Sequence, residues 1–447
     1  MHTRKTAHHT PKSHLQRFSI PIFFGGIAVL CAGGFVAFMP AEWNLEADTI
    51  PSDTQVARAV RVSDVAHLPT PEPLKAIYMS QCVSGTPSFR DTLVKLVDDT
   101  PLNAVVIDIK DYTGRIAFTT ENPILKDSVS DECGARDMKE FVKTLHDKGI
   151  YVIARITVFQ DPHYTALHPE QSVQSKSRPG EPWKDYKGLS FVDVSSKPYW
   201  EYIVALSKEA HDILGFDELN YDYIRWPSDG PMSDIAYPSK NRAEAIEKFF
   251  KYLAENVKPS GVIISADLFG YTTVLEDDLG IGQQLERALP YFDYVMPMVY
   301  PSHYNKGFVG LTNVNSDPYR VVNYSMTEAV KRVLATETSV QTLSGTPIMK
   351  MEIIPPSTGS TGSPQANSGQ ATTTKEVPSG LYSKPAFPAS KLRPWLQDFD
   401  YGKDYKPEDI EAQIKATTDA GLTSWAFWDA GNRYDNLRKV LAAYAQN

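Results

Sequence analysis

From Leu74 onward two hydrophobic periods alternate along the chain. Short apolar runs end in polar residues, and each is followed by a stretch with apolar positions three and four apart. The first signature belongs to buried parallel strands, the second to amphipathic helices that cover them. The runs are Lys75–Ser80, Asn103–Lys110 (NAVVIDIK), Ile150–Phe159 (IYVIARITVF), Phe216–Pro227 (FDELNYDYIRWP), Gly261–Phe269 (GVIISADLF), Phe292–Tyr300 (FDYVMPMVY), Lys391–Phe399 (KLRPWLQDF) and Thr423–Asp429 (TSWAFWD). Helical spacing falls at Ser88–Asp99, Asp137–Lys148, Pro198–Leu214, Asn241–Asn256, Gly282–Leu289, Tyr324–Ala335, Lys406–Ala420 and Arg433–Tyr444. Eight strand–helix repeats predict an α/β fold of the (β/α)8 TIM-barrel type over residues 74–447. An open doubly wound sheet is the alternative, but no glycine-rich turn follows the first strand to support it.

Two regions break the pattern. Residues 1–17 are polar and basic, and Phe18–Met39 carries no charge. Its length is close to the ~20 residues that cross a bilayer as a helix. The end of this run, Val36-Ala37-Phe38-Met39-Pro40-Ala41, is a poor cleavage site, and Leu30 before Cys31 is a poor lipoprotein signal. Residues 18–40 therefore read as an uncleaved transmembrane signal anchor, with the basic tail in the cytoplasm and the rest of the chain outside it. Residues 41–73, with Pro51, Pro69, Pro71 and Pro73, read as a linker. The second break, residues 336–390, lies between the sixth and seventh strands. Within it, Pro355–Gly380 is rich in Ser, Thr, Gly, Pro and Gln and is expected to be a disordered surface insertion.

A net charge of −9 without a basic block argues against a nucleic-acid partner. Of the three cysteines, Cys31 sits in the apolar N-terminal run, and no CxxC pair suggests a metal. Cys82 and Cys133 are free to bridge in an oxidising compartment. There is no HExxH, P-loop or GxSxG elbow, so no cofactor or metal is expected.

The chemistry is concentrated in Phe216–Pro227. Strand alternation puts Glu218, Asn220 and Asp222 on one face and Leu219, Tyr221 and Tyr223 on the other, with Arg225 and Trp226 just beyond. In an α/β barrel the carboxyl ends of the strands share one rim. The other strands bring Asp108, Lys110, Arg155, Asp267, Tyr300, His303, Trp395, Trp428 and Asp429 toward it. Carboxylates, arginines and aromatics without a metal are the inventory of glycosidic bond cleavage, in which one carboxyl attacks or activates water and the other protonates the leaving oxygen. Structural roles compete with these readings: Glu218 is expected to pair with Arg155, while the alternatives to chemistry are an ion pair of Asp222 with Arg225 or Arg155, a pair of Asp108 with Lys110 across the rim, and a helix cap at Asp267. Single tryptophans more often fill cores than bind sugars, but Trp226, after a polar strand end, is the favoured platform.

The strings Thr92–Lys110, Gly149–Pro162, Trp183-Lys184-Asp185, Phe191-Val192-Asp193 and Phe216–Pro227 together resemble a family of bacterial glycoside hydrolase domains. That family is a TIM barrel distantly similar to the α-amylase and α-galactosidase enzymes. Its DYIRFP-like hallmark reads Asp222-Tyr223-Ile224-Arg225-Trp226-Pro227 here, with Trp226 where Phe is usual. The resemblance spans Leu74 to Tyr434 apart from the low-complexity insertion. It implies that Asp222, ending the fourth strand, is the nucleophile. It also implies an acid/base from the fifth or sixth strand. Asp267 is the better match, because the sixth strand has no carboxylate at its carboxyl end; Asp108 and Asp429 stand as alternatives.

Two functions are carried forward. One is a membrane-anchored, extracytoplasmic, retaining glycoside hydrolase acting on an oligo- or polysaccharide, with Asp222 and Asp267 catalytic. Asp108, Lys110, Arg155, Asn220, Arg225, Trp226, Tyr300, Trp395, Trp428 and Asp429 would bind substrate. The other is a non-catalytic polysaccharide-binding or envelope scaffold on the same fold.

Overall fold

The computed structural model describes residues 65–236, 241–354 and 373–444. The expected signal anchor lies outside them. So do most of the linker and the centre of the insertion. Among the described residues no helix is long and apolar enough to cross a membrane.

Eight parallel strands close into a barrel: β1 (Lys75–Met79), β2 (Ala104–Lys110), β3 (Tyr151–Thr157), β4 (Glu218–Asp222), β5 (Ile263–Phe269), β6 (Tyr294–Met298), β7 (Trp395–Gln397) and β8 (Trp425–Trp428). Each pairs with its neighbours in sequence, and β8 returns to β1. The helices between and after them are α1 (Pro87–Asp98), α2 (Met138–Asp147), α3 (Lys197–Glu209), α4 (Arg242–Val257), α5 (Leu285–Ala288), α6 (Pro318–Leu334), α7 (Pro407–Asp419) and α8 (Asp435–Tyr444). Local chemistry sets their ends. The Ser196 hydroxyl accepts from the Tyr199 N–H ahead of α3, and the Asp317 carboxylate does the same for Arg320 at α6. Proline follows both caps within the first turn, where its missing N–H costs nothing. This start places α6 six residues earlier than the sequence spacing suggested.

Strand alternation separates two apolar cores. Val105, Ile107, Val152, Leu219, Tyr221 and Ile264 face the helices. Ala76, Tyr78, Val106, Tyr151, Ile153, Met296 and Trp395 fill the barrel. The amino end of the barrel is closed by residues that had been assigned to the linker. Leu68 packs on the interior cluster, its N–H donates to Asp217 (2.7 Å), and Thr70 meets the Tyr151 hydroxyl (3.1 Å). The described part of residues 65–73 therefore belongs to the barrel domain.

The insertion between β6 and β7 is more ordered than its composition suggested. Pro347–Ile354 and Thr373–Ser383 pair as an antiparallel hairpin, and Glu337–Thr338 adds a short third strand. Thr373–Gly380, expected to be disordered, is therefore strand. Backbone pairing across the hairpin outweighs a polar composition here.

An ion pair lies deep inside the barrel. Glu218 and Arg393 meet at 2.9 Å with both side chains 0% exposed, the Tyr151 hydroxyl also donates to Glu218 (3.2 Å), and Arg393 stacks on Tyr294. The expected Glu218–Arg155 pair does not form. Glu218 is level with Ile153, whereas Arg155 is level with Asn220, two residues nearer the carboxyl rim. Removing one partner of such a pair strands a buried charge. Arg393→Met is expected to cost about 3–5 kcal/mol in urea denaturation, and adding Glu218→Leu should recover much of it. A single variant as stable as the parent would contradict this account.

Candidate active site

At the carboxyl rim, Arg155 of β3 gathers three carboxylates. Its Nη1 lies 2.5 Å from Asp108 of β2, its Nη2 bonds Asp222 of β4, and its Nε sits 3.6 Å from Asp267 of β5. All four side chains point inward, because alternation places them on the barrel's inner face. Asp108 is held on its other oxygen by the Tyr78 hydroxyl (2.5 Å). Asp222 also accepts the N–H of Tyr223 (2.6 Å). The Oδ1 atom of Asp267 accepts from the Trp395 indole (2.7 Å) and the Asn220 amide (2.8 Å). Its Oδ2 faces Arg155.

The two expected catalytic carboxylates have different surroundings. Burial pushes the Asp267 carboxyl well above the ordinary carboxylate range, and the negative charge of Asp222 pushes it further. Arg155 and the two hydrogen bonds oppose this without cancelling it. Burial also raises Asp108, against the pull of Arg155. The arrangement sets a carboxyl raised by burial beside another that is clamped by a guanidinium and a backbone N–H.

Asp222 and Asp267 open onto one cleft of about 250 Å³. Arg155, Arg225, Tyr300, His303, Trp395 and Trp428 also line it. Tyr300 and Trp428 stack with ring centres 5.7 Å apart, and Phe399 packs edge-on against both, giving the cleft an aromatic wall. Tyr223, Phe269, Tyr271, Met298 and Tyr304 complete the lining. Sequence alternation had turned Tyr223 toward the helices. Its φ of 52°, in the left-handed region, breaks the strand at that residue and swings the ring into the cleft. Gly270 lets the turn after β5 close in: a Cβ there would sit 2.4 Å from the Tyr304 hydroxyl and 2.6 Å from the Met298 carbonyl.

Five expected substrate contacts lie elsewhere. A bulge between Asp108 and Lys110 turns the lysine out of the barrel, where its ammonium meets Asp161 (2.9 Å), the Thr157 carbonyl (2.7 Å) and the Tyr199 hydroxyl (3.2 Å). Lys110 is therefore a strut of the helix layer and does not pair with Asp108. Asp108 lies behind Arg155, outside the cleft lining, and anchors it. Asn220 sits below Asp267 and holds it. Trp226 is fully buried outside the cleft, with its backbone bonded to Ile281 and Gly282 against its ring. It follows the break at Tyr223, so strand alternation no longer describes it. Asp429 accepts the N–H groups of Gly431 (2.9 Å) and Arg433 (2.8 Å) and shapes the turn after β8.

A family model described as "Putative glycosyl hydrolase domain" matches residues 76–343 and 357–434. The chain belongs to this family. This glycosyl hydrolase domain shares 31% identity with a hypothetical protein from Ruminiclostridium thermocellum, over 43% of this chain and 96% of that one, at a TM-score of 0.39. The PgaB (BpsB) glycoside hydrolase domain from Bordetella bronchiseptica is similar over 83% of this chain and 98% of its own, at 13% identity and a TM-score of 0.51. Alpha-L-fucosidase isoenzyme 2 from Paenibacillus thiaminolyticus is similar over 84% of this chain and 49% of its own, at 10% identity and a TM-score of 0.52. At these identities the last two similarities speak for the barrel alone. No curated protein matches the chain in sequence.

The raised Asp267 carboxyl has a consequence for stability. Between the unfolded value near pH 4 and its higher folded value, the folded domain keeps a proton that the unfolded chain releases. The stability this contributes is complete below the unfolded value and is lost as pH rises through that window. Asp267→Asn is neutral throughout. It is expected to lose less stability than the parent as pH rises from about 4, read as melting temperature against pH. Parallel curves would rule out a raised Asp267.

Proposed function

We propose that this protein is a glycoside hydrolase in which Asp222 is the nucleophile and Asp267 the general acid/base. The observation that carries this reading is the asymmetry of the pair. Asp222 is ion-paired to Arg155 and accepts a backbone N–H, while burial and the nearby Asp222 charge hold Asp267 in its acid form. Glycoside cleavage needs one carboxylate and one carboxylic acid on the same cleft. Asp267 protonates the departing glycosidic oxygen as Asp222 bonds to the anomeric carbon. The Asp267 carboxylate so formed then takes a proton from the water that releases the sugar.

Both carboxyls share Arg155, and that closeness favours the retaining course, for which the separation is about 5–5.5 Å. Tyr300 and Trp428 offer the aromatic surface on which a sugar face stacks, and Arg225 orients the substrate. The substrate is an oligo- or polysaccharide.

We place the domain outside the cytoplasm, tethered by residues 18–40. The basic residues before that segment support this. The Cys82–Cys133 bridge, between cysteines 51 residues apart, supports it too, because such bonds persist in oxidising compartments.

Asp222→Asn is expected to abolish sugar release while the protein stays folded. Asp267→Asn should lower it about 10²–10⁴-fold, with recovery on substrates whose leaving group needs no proton. Product anomers followed by proton NMR test the retaining course. Sugar release undiminished in Asp222→Asn would refute the assignment. Separately, Cys82→Ser is expected to cost about 2–4 kcal/mol, measured by denaturation under non-reducing conditions. No change would remove the bridge as support for the location.

A further inference from the structure

Among the described residues, five largely buried guanidinium groups hold carboxylates, one of them Arg90 on Asp137. Arg155 holds Asp108 and Asp222, Arg287 holds Glu247, Arg332 holds Glu286, and Arg393 holds Glu218. Arg225 differs. It is 7% exposed and lines the cleft, yet among the described residues no Asp or Glu oxygen lies within ion-pair distance of it. Its one bond to a backbone group is from Nη1 to the Trp226 carbonyl (3.0 Å). Its guanidinium is held by rings, with Tyr223 at 4.7 Å, Phe269 at 4.9 Å and Phe191 at 5.7 Å from it. Asp222 and Asp185 act on it only from a distance, and the Tyr223 phenol is its other close polar neighbour.

An arginine stays charged in a protein, and burying a charge without a counter-ion is costly. Stacking on aromatic faces offsets part of that cost and fixes the plane of the fork. It leaves the remaining N–H donors without a carboxylate partner, in a cleft whose own carboxylates are engaged by Arg155, Asn220 and Trp395. A planar, rigidly held guanidinium suits a carboxylate better than a neutral hydroxyl, because two parallel N–H groups meet two oxygens.

We propose that Arg225 is a specificity-determining residue that pairs with an anionic group of the substrate, so that the sugar bound beside Asp222 is acidic. The shared chemistry is a singly bonded anion on a sugar ring: the carboxylate of a uronic acid, or a sulfate or phosphate ester. The planar fork favours the carboxylate. The sugar part of this inference rests on the glycosidase reading. The anion part does not, and the test uses binding without turnover.

Binding of glucuronate and galacturonate to the full-length protein is measured by calorimetry and ligand-observed NMR, against glucose and galactose. Glucose 6-sulfate and glucose 6-phosphate form the second arm. The acidic sugars are expected to bind about tenfold or more tightly than the neutral ones, as one charge-assisted pair supplies. Arg225→Gln should erase that preference, so that acidic and neutral sugars bind with the same affinity. Arg225→Lys, which keeps the charge and loses the fork, should retain a reduced preference. It also serves if the glutamine variant does not fold. Tighter binding of the esters than of the uronates would keep the anion and assign it to an ester. Equal binding of acidic and neutral sugars, no binding of any acidic sugar, or a preference that survives both substitutions would overturn the proposal. Acid-sugar binding without hydrolysis of any glycan would instead refute the glycosidase reading and leave this one standing.

Discussion

The mouth of the barrel depends on the Arg155 guanidinium. Three strands bring carboxylates within its reach, and three such charges in a buried space would repel one another and lose their hydration together. Arg155 binds two of them and lies close to the third, which offsets that repulsion. The uneven sharing has a chemical result. Asp108 and Asp222 hold the two strong contacts, while Asp267 is left with neutral donors and a longer approach to the cation. One cation among three acids thus leaves the carboxyls in unlike surroundings, with burial and the neighbouring Asp222 raising Asp267 well above the ordinary range.

The rest of the fold holds that geometry. Asp108, behind the cleft, is braced by Tyr78, and Asp267 is braced by Asn220 below it and by Trp395 in the cleft lining. Below them the Glu218–Arg393 pair and the Tyr151 hydroxyl form a buried polar core within the barrel, and residues 65–73 close its amino end. The outer layer has its own buried strut in Lys110 and Asp161. Each belongs to the class in which removing one partner is far more costly than never having had the pair.

The cleft is asymmetric in a second way. Its aromatic wall, from Tyr300 through Trp428 to Phe399, comes from β6, β8 and the residue just past Asp398 at the end of β7. Its cations come from β3 and the segment after β4. Stacking gives affinity with little demand on hydroxyl pattern, whereas a fixed guanidinium makes a strict demand on charge.

The period-2 and period-3.6 patterns were enough to predict eight strands and their order in a closed barrel, because burial on both sides of a parallel strand leaves an unmistakable apolar run. They also placed Asp222, Asp267 and Arg155 on the inside. Height along the barrel was a different matter. Glu218, Asn220 and Asp222 share one face in sequence, yet the register across β3 and β5 puts the first at the floor with Arg393, the second under Asp267 and the third at the rim. Where alternation was interrupted the pattern misled: a bulge turned Lys110 outward, and the left-handed Tyr223 brought its own ring into the cleft while Trp226 went into the core. Side-chain direction follows from local backbone period only while the strand lasts. Which charges become neighbours is settled by strand stagger and closure, and these exist only once the whole barrel has formed.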